Sequence, residues 1–85
     1  MGRLYSGNLM NFQAALSQIF ELDLNVTQER EFETWSRQNV YTLKILTHSG
    51  AELASCMFMA HDEDVLYNDM TSWLKRQHYQ LSSWK

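Results

Sequence analysis

The 85-residue sequence contains no proline, only three glycines and a single cysteine, Cys56. One cysteine permits no intrachain disulfide, and because small secreted domains usually depend on such cross-links, a reducing compartment is expected. No apolar run approaches the roughly 20 residues that span a bilayer, and the first residues lack the apolar stretch of a signal peptide. We therefore expect a cytoplasmic protein that forms a single domain over residues 1–85.

Basic charge is also scarce. Asp and Glu outnumber Lys and Arg by ten to seven, which gives a formal net charge of −3. Modules that bind nucleic acid are usually basic, because phosphate contacts supply much of their affinity. Direct nucleic-acid binding is therefore disfavoured. It is kept as a second alternative that would use the cations Arg30, Arg37, Lys44, Lys75 and Arg76.

Apolar residues recur at helical spacing near both ends of the chain. The first stripe predicts a helix over about residues 9–22, with Asn8 or Asn11 as its N-cap. A second helix is predicted to open at the acidic residues 62–64 and to carry cationic residues in its last turns. The two buried stripes are Phe12, Ala15, Leu16, Ile19 and Phe20, and then Leu66, Met70, Trp73 and Leu74, with Gln77 or Leu81.

The centre of the sequence changes to the two-residue period of strands. Tyr41, Leu43 and Ile45 alternate with polar residues, and a two-residue loop at Ser49 and Gly50 would pair them with Phe58, Cys56 and Ala54. A further strand over about residues 28–35 would place Phe32 opposite Leu43, Glu31 opposite Lys44 and Trp35 opposite Val40. The predicted fold is α+β in the order α-β-β-β-α, a three-stranded antiparallel meander with both helices on one face.

The other face of this sheet is predicted to be partly apolar, since Trp35, Leu46, Leu53 and Met57 fall on it. An apolar face rimmed by charge often marks an interaction surface, and methionine adapts to irregular partners. The alternative is that terminal aromatic residues fold over it, from Tyr5, Tyr79 and Trp84.

Residues able to carry catalysis are not arranged for it. His48, His61 and His78 lack metal-ligand spacing, and Cys56 faces inward with no adjacent base or glycine-rich loop. We expect no enzyme activity, no cofactor and no metal. The remaining polar feature is an acidic segment at the start of the second helix, either a helix cap or an anchor for a cationic partner: Asp62, Glu63, Asp64, Tyr67, Asn68 and Asp69.

The order α-β-β-β-α resembles a double-stranded RNA-binding domain, but residues 62–64 place acids where that family has lysines, so its function is not carried over. Residues 62–70, Asp-Glu-Asp-Val-Leu-Tyr-Asn-Asp-Met, resemble a segment of a phage-encoded anti-CRISPR protein that inhibits Cas9. That resemblance implies that the acidic segment occupies the basic cleft where Cas9 reads the PAM.

These observations favour a small, non-enzymatic binding protein from a phage or mobile element that blocks a bacterial defence protein such as a Cas effector. Its contacts would be the acidic segment, the open sheet face, or both. The first alternative is a structural or assembly module that forms a homodimer through the apolar sheet face.

Overall fold

Five elements follow one another in the computed structural model, which describes residues 3–83, with side chains from Gly7 onward. The order confirms the α-β-β-β-α prediction. The elements are α1 (Arg3–Glu21), β1 (Asn25–Glu33), β2 (Gln38–Leu46), β3 (Glu52–Ala60) and α2 (Glu63–Ser82).

The sheet has the order β1-β2-β3 with both pairs antiparallel, so β2 is central and β1 and β3 are edges. Between β2 and β3, Tyr41 pairs with Phe58, Leu43 with Cys56 and Ile45 with Ala54, as predicted. This register is favoured because it places apolar residues opposite one another three times in succession.

The loop between β2 and β3 differs from the prediction. It spans three residues, 48–50, because the Thr47 N–H donates to the Ala51 carbonyl (2.8 Å) and the Gly50 N–H donates to the Thr47 carbonyl (2.9 Å). Gly50 has φ +95°, a backbone conformation that other residues rarely adopt. The register then shifts between Ile45 and Leu46, and this β-bulge absorbs the extra loop residue.

The predicted register between β1 and β2 was wrong by four residues. Phe32 pairs with Asn39 and Glu31 with Val40, and the connecting turn is residues 34–37. β1 is mostly polar, so few apolar pairs distinguish one register from another. An even shift leaves each residue on its predicted face: Phe32 does share a face with Leu43, but at the sheet's end, where it is largely exposed.

The first helix begins at Arg3, six residues before the predicted start, so neither Asn8 nor Asn11 is its N-cap. Asn8 instead reaches α2, where its Nδ2 amide donates to the Asp64 backbone carbonyl (3.3 Å). Phe20, predicted to be buried, is largely exposed near the helix end.

The second helix begins where the sequence predicted, since an oxygen of the Asp62 carboxylate accepts from the Asp64 backbone N–H (2.8 Å). It continues to Ser82, so Lys75, Arg76 and His78 lie before its last turn, which contains no basic residue. Within the described residues, neither helix is long and apolar enough to cross a membrane.

Both helices pack on one face of the sheet, as predicted. They run in the same direction: Asn8 contacts Asp64 at their starts, and further along the Phe12 and Tyr67 rings are 5.5 Å apart. The buried cluster between helices and sheet contains Phe12, Ala15, Ile19, Tyr41, Leu43, Ile45, Ala60, Leu66, Met70, Trp73 and Leu74.

Candidate protein-binding surfaces

The sheet has a second face on which no described element packs, and we call it the open sheet face. Strand alternation places three parallel rows on it, and the middle row, on β2, includes Val40, Lys44 and Leu46. The row on β1 carries Glu29, Glu31 and Glu33, and the row on β3 carries Leu53, Ser55, Met57 and Met59.

Exposure differs sharply across these rows. Met57 is 65% exposed, and Met59 and Leu53 are also exposed, so β3 presents an apolar strip. Val40 is buried although it points away from the helices, because Glu31 and Met59 flank it as its strand partners. The open sheet face therefore combines an acidic edge on β1 with an apolar edge on β3.

Trp35 does not lie on this face as predicted. β1 ends at Glu33, and Trp35 falls in the following turn, where it pairs with no strand residue and is 94% exposed. The turn is held by the Ser36 hydroxyl, which donates to Glu33 Oε1 (2.8 Å), and Arg37 within it has φ +56°. Trp35 thus projects from the end of the acidic row.

Of the three terminal aromatic residues expected to cover the open sheet face, the structure describes the side chain of Tyr79 alone. Tyr79 is 76% exposed and lies on α2, on the opposite side of the sheet, so it does not cover the open sheet face. Trp84 and the side chain of Tyr5 lie outside the described residues.

The side chains of the acidic segment differ in exposure. Asp62, Glu63, Asn68 and Asp69 are exposed. Asp64 is half-buried at the start of α2, beside α1, and Tyr67 packs on Phe12 of α1. Only the exposed members of the segment are accessible as anchors for a partner.

The pKa of the Tyr67 hydroxyl is raised from its ordinary value of 10.0. Burial is the largest cause, and the neighbouring Tyr41 and Glu63 add to it, while Arg30 opposes it. Tyr67 therefore stays neutral at physiological pH and acts here as an aromatic packing group.

Topology brings two separate sequence features to one end of the molecule. Ala60 pairs with Asn39 and α2 starts three residues later, so residues 62–64 lie at the same end of the sheet as the turn carrying Trp35. Leu46 and Leu53 lie at the opposite end, and Met57 lies between. The ten predicted contact residues therefore form no single patch.

The residues considered for chemistry stay apart. Cys56 is half-buried on the helix-covered face, and no three His, Cys, Asp or Glu residues in the described part are arranged to hold a metal ion. The cations proposed for nucleic-acid binding are also dispersed: Arg30 faces the helices, Lys44 lies on the open sheet face, Arg37 in a turn, and Lys75 and Arg76 on α2.

Comparison with known proteins identifies the lineage. The family described as Bacteriophage T7-like, gene 1.2 matches residues 1–85. The chain belongs to the T7-like gene 1.2 family. It is 44% identical over 85 residues to the "Inhibitor of dGTPase" of Escherichia phage T7, a match that covers 100% of both chains. It is 36% identical over 91 residues to the "Gene 1.2 protein" of Enterobacteria phage T3, covering 100% of this chain and 98% of that one.

The gene 1.2 family bears directly on the sequence predictions. A phage origin is confirmed, and a relative named as an inhibitor of an enzyme confirms a regulatory binding protein rather than an enzyme. The narrower resemblance to anti-CRISPR proteins is not supported, because the family matches the whole chain whereas that resemblance covered nine residues.

Proposed function

We propose that this gene 1.2 family protein inhibits a bacterial dGTPase by binding to it, inside the infected cell. The observation that supports the proposal is its 44% identity to the phage T7 inhibitor of dGTPase over the full length of both chains. The match covers 100% of both chains, so it extends well beyond an isolated motif.

Binding alone is sufficient for inhibition when it covers a surface the enzyme needs or holds the enzyme in an inactive conformation. Two surfaces of the chain are candidates for the contact. One is the exposed part of the acidic segment, Asp62, Glu63, Asn68 and Asp69. The other is the open sheet face with Leu46, Leu53 and Met57, together with Trp35 at its end.

The test is the rate of dGTP hydrolysis by purified Escherichia dGTPase as the chain is added. We expect the rate to fall to a low plateau, with the transition near one chain per enzyme subunit if binding is tight. An unchanged rate at about 100-fold excess of the chain over the enzyme would contradict the proposal. At micromolar enzyme, that result would exclude a Kd tighter than about 0.1 mM.

Charge reversal separates the acidic segment from general charge effects. Asp69→Lys changes an exposed residue of that segment, and Glu21→Lys changes an exposed residue at the end of α1 by the same two charge units. If the segment contacts the enzyme, only Asp69→Lys weakens inhibition. Equal inhibition by both variants would leave residues 62–64 and 69 as a helix cap and a solvated helix face.

The anti-CRISPR expectation can be tested in parallel with guide-loaded Cas9 and its DNA cleavage as the readout. The observations in its favour are the similarity of residues 62–70 and the small size, acidic charge and α+β architecture of the chain. Inhibition of Cas9 in the absence of any effect on dGTPase would replace our proposal.

A further inference from the structure

Given the proposed function, we further infer that the open sheet face is the docking surface, and that its β1 edge meets a cationic rim on the dGTPase. The β1 edge consists of Glu29, Glu31 and Glu33, which we call the glutamate row. The inference concerns residues outside the acidic segment of α2.

The glutamate row is a fixed array rather than a loose cluster. Alternate strand residues share a face and lie about 6.5–7 Å apart, so the row extends roughly 13 Å. Glu29 pairs with Thr42 and Glu31 with Val40 on the central strand. Glu33 accepts a hydrogen bond from the Ser36 hydroxyl at the turn.

The charges on this face are unbalanced. Among the side chains that the structure describes, Lys44 is the one cation on the open sheet face, and it lies opposite Thr27 and Ser55. Arg30 points to the other face and Arg37 lies in the turn. With Glu52, the strand partner of Leu46, the face offers four carboxylates against one ammonium group. Three of the four lie along β1, so a complementary partner must supply cations along this edge.

The remainder of the face supplies apolar surface, which lies along its β3 edge. Met57 and Met59 on β3 are exposed, and Val40 lies between them and the glutamate row. Protein interfaces usually combine apolar surface with polar and charged residues around it, and this face carries both. Methionine side chains adjust to irregular surfaces, which suits contact with a partner of different fold.

A second copy of this chain fits the face poorly. In an aligned two-fold arrangement with the axis along the strands, each glutamate row would lie over the partner's methionine row and be buried without cations. With the axis across the strands, glutamate would lie over glutamate and the rows would repel. Charge complementarity therefore favours an enzyme surface with a cationic rim over self-association.

Trp35 extends the surface beyond the last strand pair, Glu33 with Gln38. It is the most exposed of the large hydrophobic side chains described, and its turn is fixed by the Ser36–Glu33 hydrogen bond. Tryptophan is strongly enriched among residues that dominate binding energy, and an ordered turn reduces the entropy lost on binding.

Two substitutions test the surface, each with a matched control elsewhere. Glu31→Lys is compared with Glu21→Lys, because both residues are exposed glutamates and both changes add two charge units. Trp35→Ala is compared with Tyr79→Ala, because both remove an exposed aromatic ring, but Tyr79 lies on α2. All four variants are assayed for inhibition of dGTP hydrolysis and for thermal unfolding.

We expect Glu31→Lys and Trp35→Ala each to raise the concentration needed for half-inhibition by about 30-fold or more, with unfolding temperatures close to the parent. The two controls should shift it by less than about threefold. Equal effects in Glu31→Lys and Glu21→Lys, or no loss in Trp35→Ala, would overturn the inference.

The outcomes separate this inference from the proposed function. If the parent chain does not inhibit dGTPase, the proposed function fails first. If the parent inhibits and the β1-edge variants inhibit equally well, only the docking surface is wrong. Light scattering at micromolar concentration adds a third outcome, since a dimer disrupted by Met57→Glu would show that a second copy occupies the face.

Discussion

The two faces of the sheet are built from the same three strands but differ in burial and charge. On β2, Leu43 and Ile45 are fully buried beneath the helices, while their neighbours Thr42 and Lys44 face the other way and remain partly exposed. The two-residue period of a strand keeps the sets separate. Consequently, we expect a substitution on the open sheet face to leave the packing beneath the helices unchanged.

The largest expected effect comes from a substitution on the face of the sheet that both helices cover, which we call the covered face. Leu43→Ala removes a side chain with no exposed surface at the centre of the core. Because a cavity remains beneath both helices, we expect a loss of about 2–5 kcal/mol in the free energy of unfolding. Denaturant titration followed by circular dichroism measures it.

Met57→Ala is the matched change on the open sheet face, since Met57 lies in the next strand pair and points outward. It should alter the free energy of unfolding by no more than about 0.5 kcal/mol while weakening dGTPase inhibition. A large loss of stability in Met57→Ala would mean that the face is covered in the free protein.

A smaller effect on stability is expected at the start of α2. Asp62→Ala removes the N-cap carboxylate that accepts from the Asp64 N–H, so we expect a loss of about 1 kcal/mol. Asp62→Asn keeps an acceptor at the cap without the charge and should restore most of this stability in the same titration. Failure of Asp62→Asn to restore stability would assign the effect to charge instead.

The separation of faces also depends on the register set by the loop between β2 and β3. Gly50 has φ +95°, and a Cβ added there would meet no atom within 4 Å. Gly50→Ala should therefore cost about 1 kcal/mol through backbone conformation alone. Thermal unfolding measures this, and an unchanged melting temperature would show that the loop relaxes at no cost.

The smallest effect concerns pH at the border of the covered face. Because the folded state raises the pKa of Tyr67 above 10.0, this group's contribution to stability is complete below pH 10 and declines as pH rises through the higher folded pKa. In Tyr67→Phe, the decrease in unfolding free energy between pH 9 and pH 11 should be slightly smaller than in the parent. A steeper decrease in the variant would reverse the sign of the predicted shift.

Much of the covered face could be predicted from sequence, because periodicity and apolar pairing agree there. The stripe through Leu66, Met70 and Trp73 and the pairing of Leu43 with Cys56 were both correct. The register of β1 was not, because a polar strand pairs almost equally well in several positions. Because of this error, Trp35 was predicted to lie on a strand, whereas it lies in the turn after β1.

The sequence predicted which residues form each candidate surface, but not how the surfaces are arranged relative to each other. The contacts of these residues with a partner stay predictions. The turn at Trp35 and the start of α2 lie at the same end of the sheet. This proximity depends on the strand order, which no local sequence pattern predicts. The contact of Asn8 with the backbone of Asp64 on the other helix is likewise long-range, so no local pattern predicts it.

The two edge strands differ in a way that bears on how the protein behaves in concentrated solution. β1 carries four charged residues among nine, whereas β3 carries one, Glu52, at its first position. Charged side chains discourage foreign strands from adding to an open edge, so β1 is protected and β3 is not. The β3 edge is therefore where aggregation would begin, and a lysine introduced at Ser55 is the simplest way to improve solubility without disturbing the core.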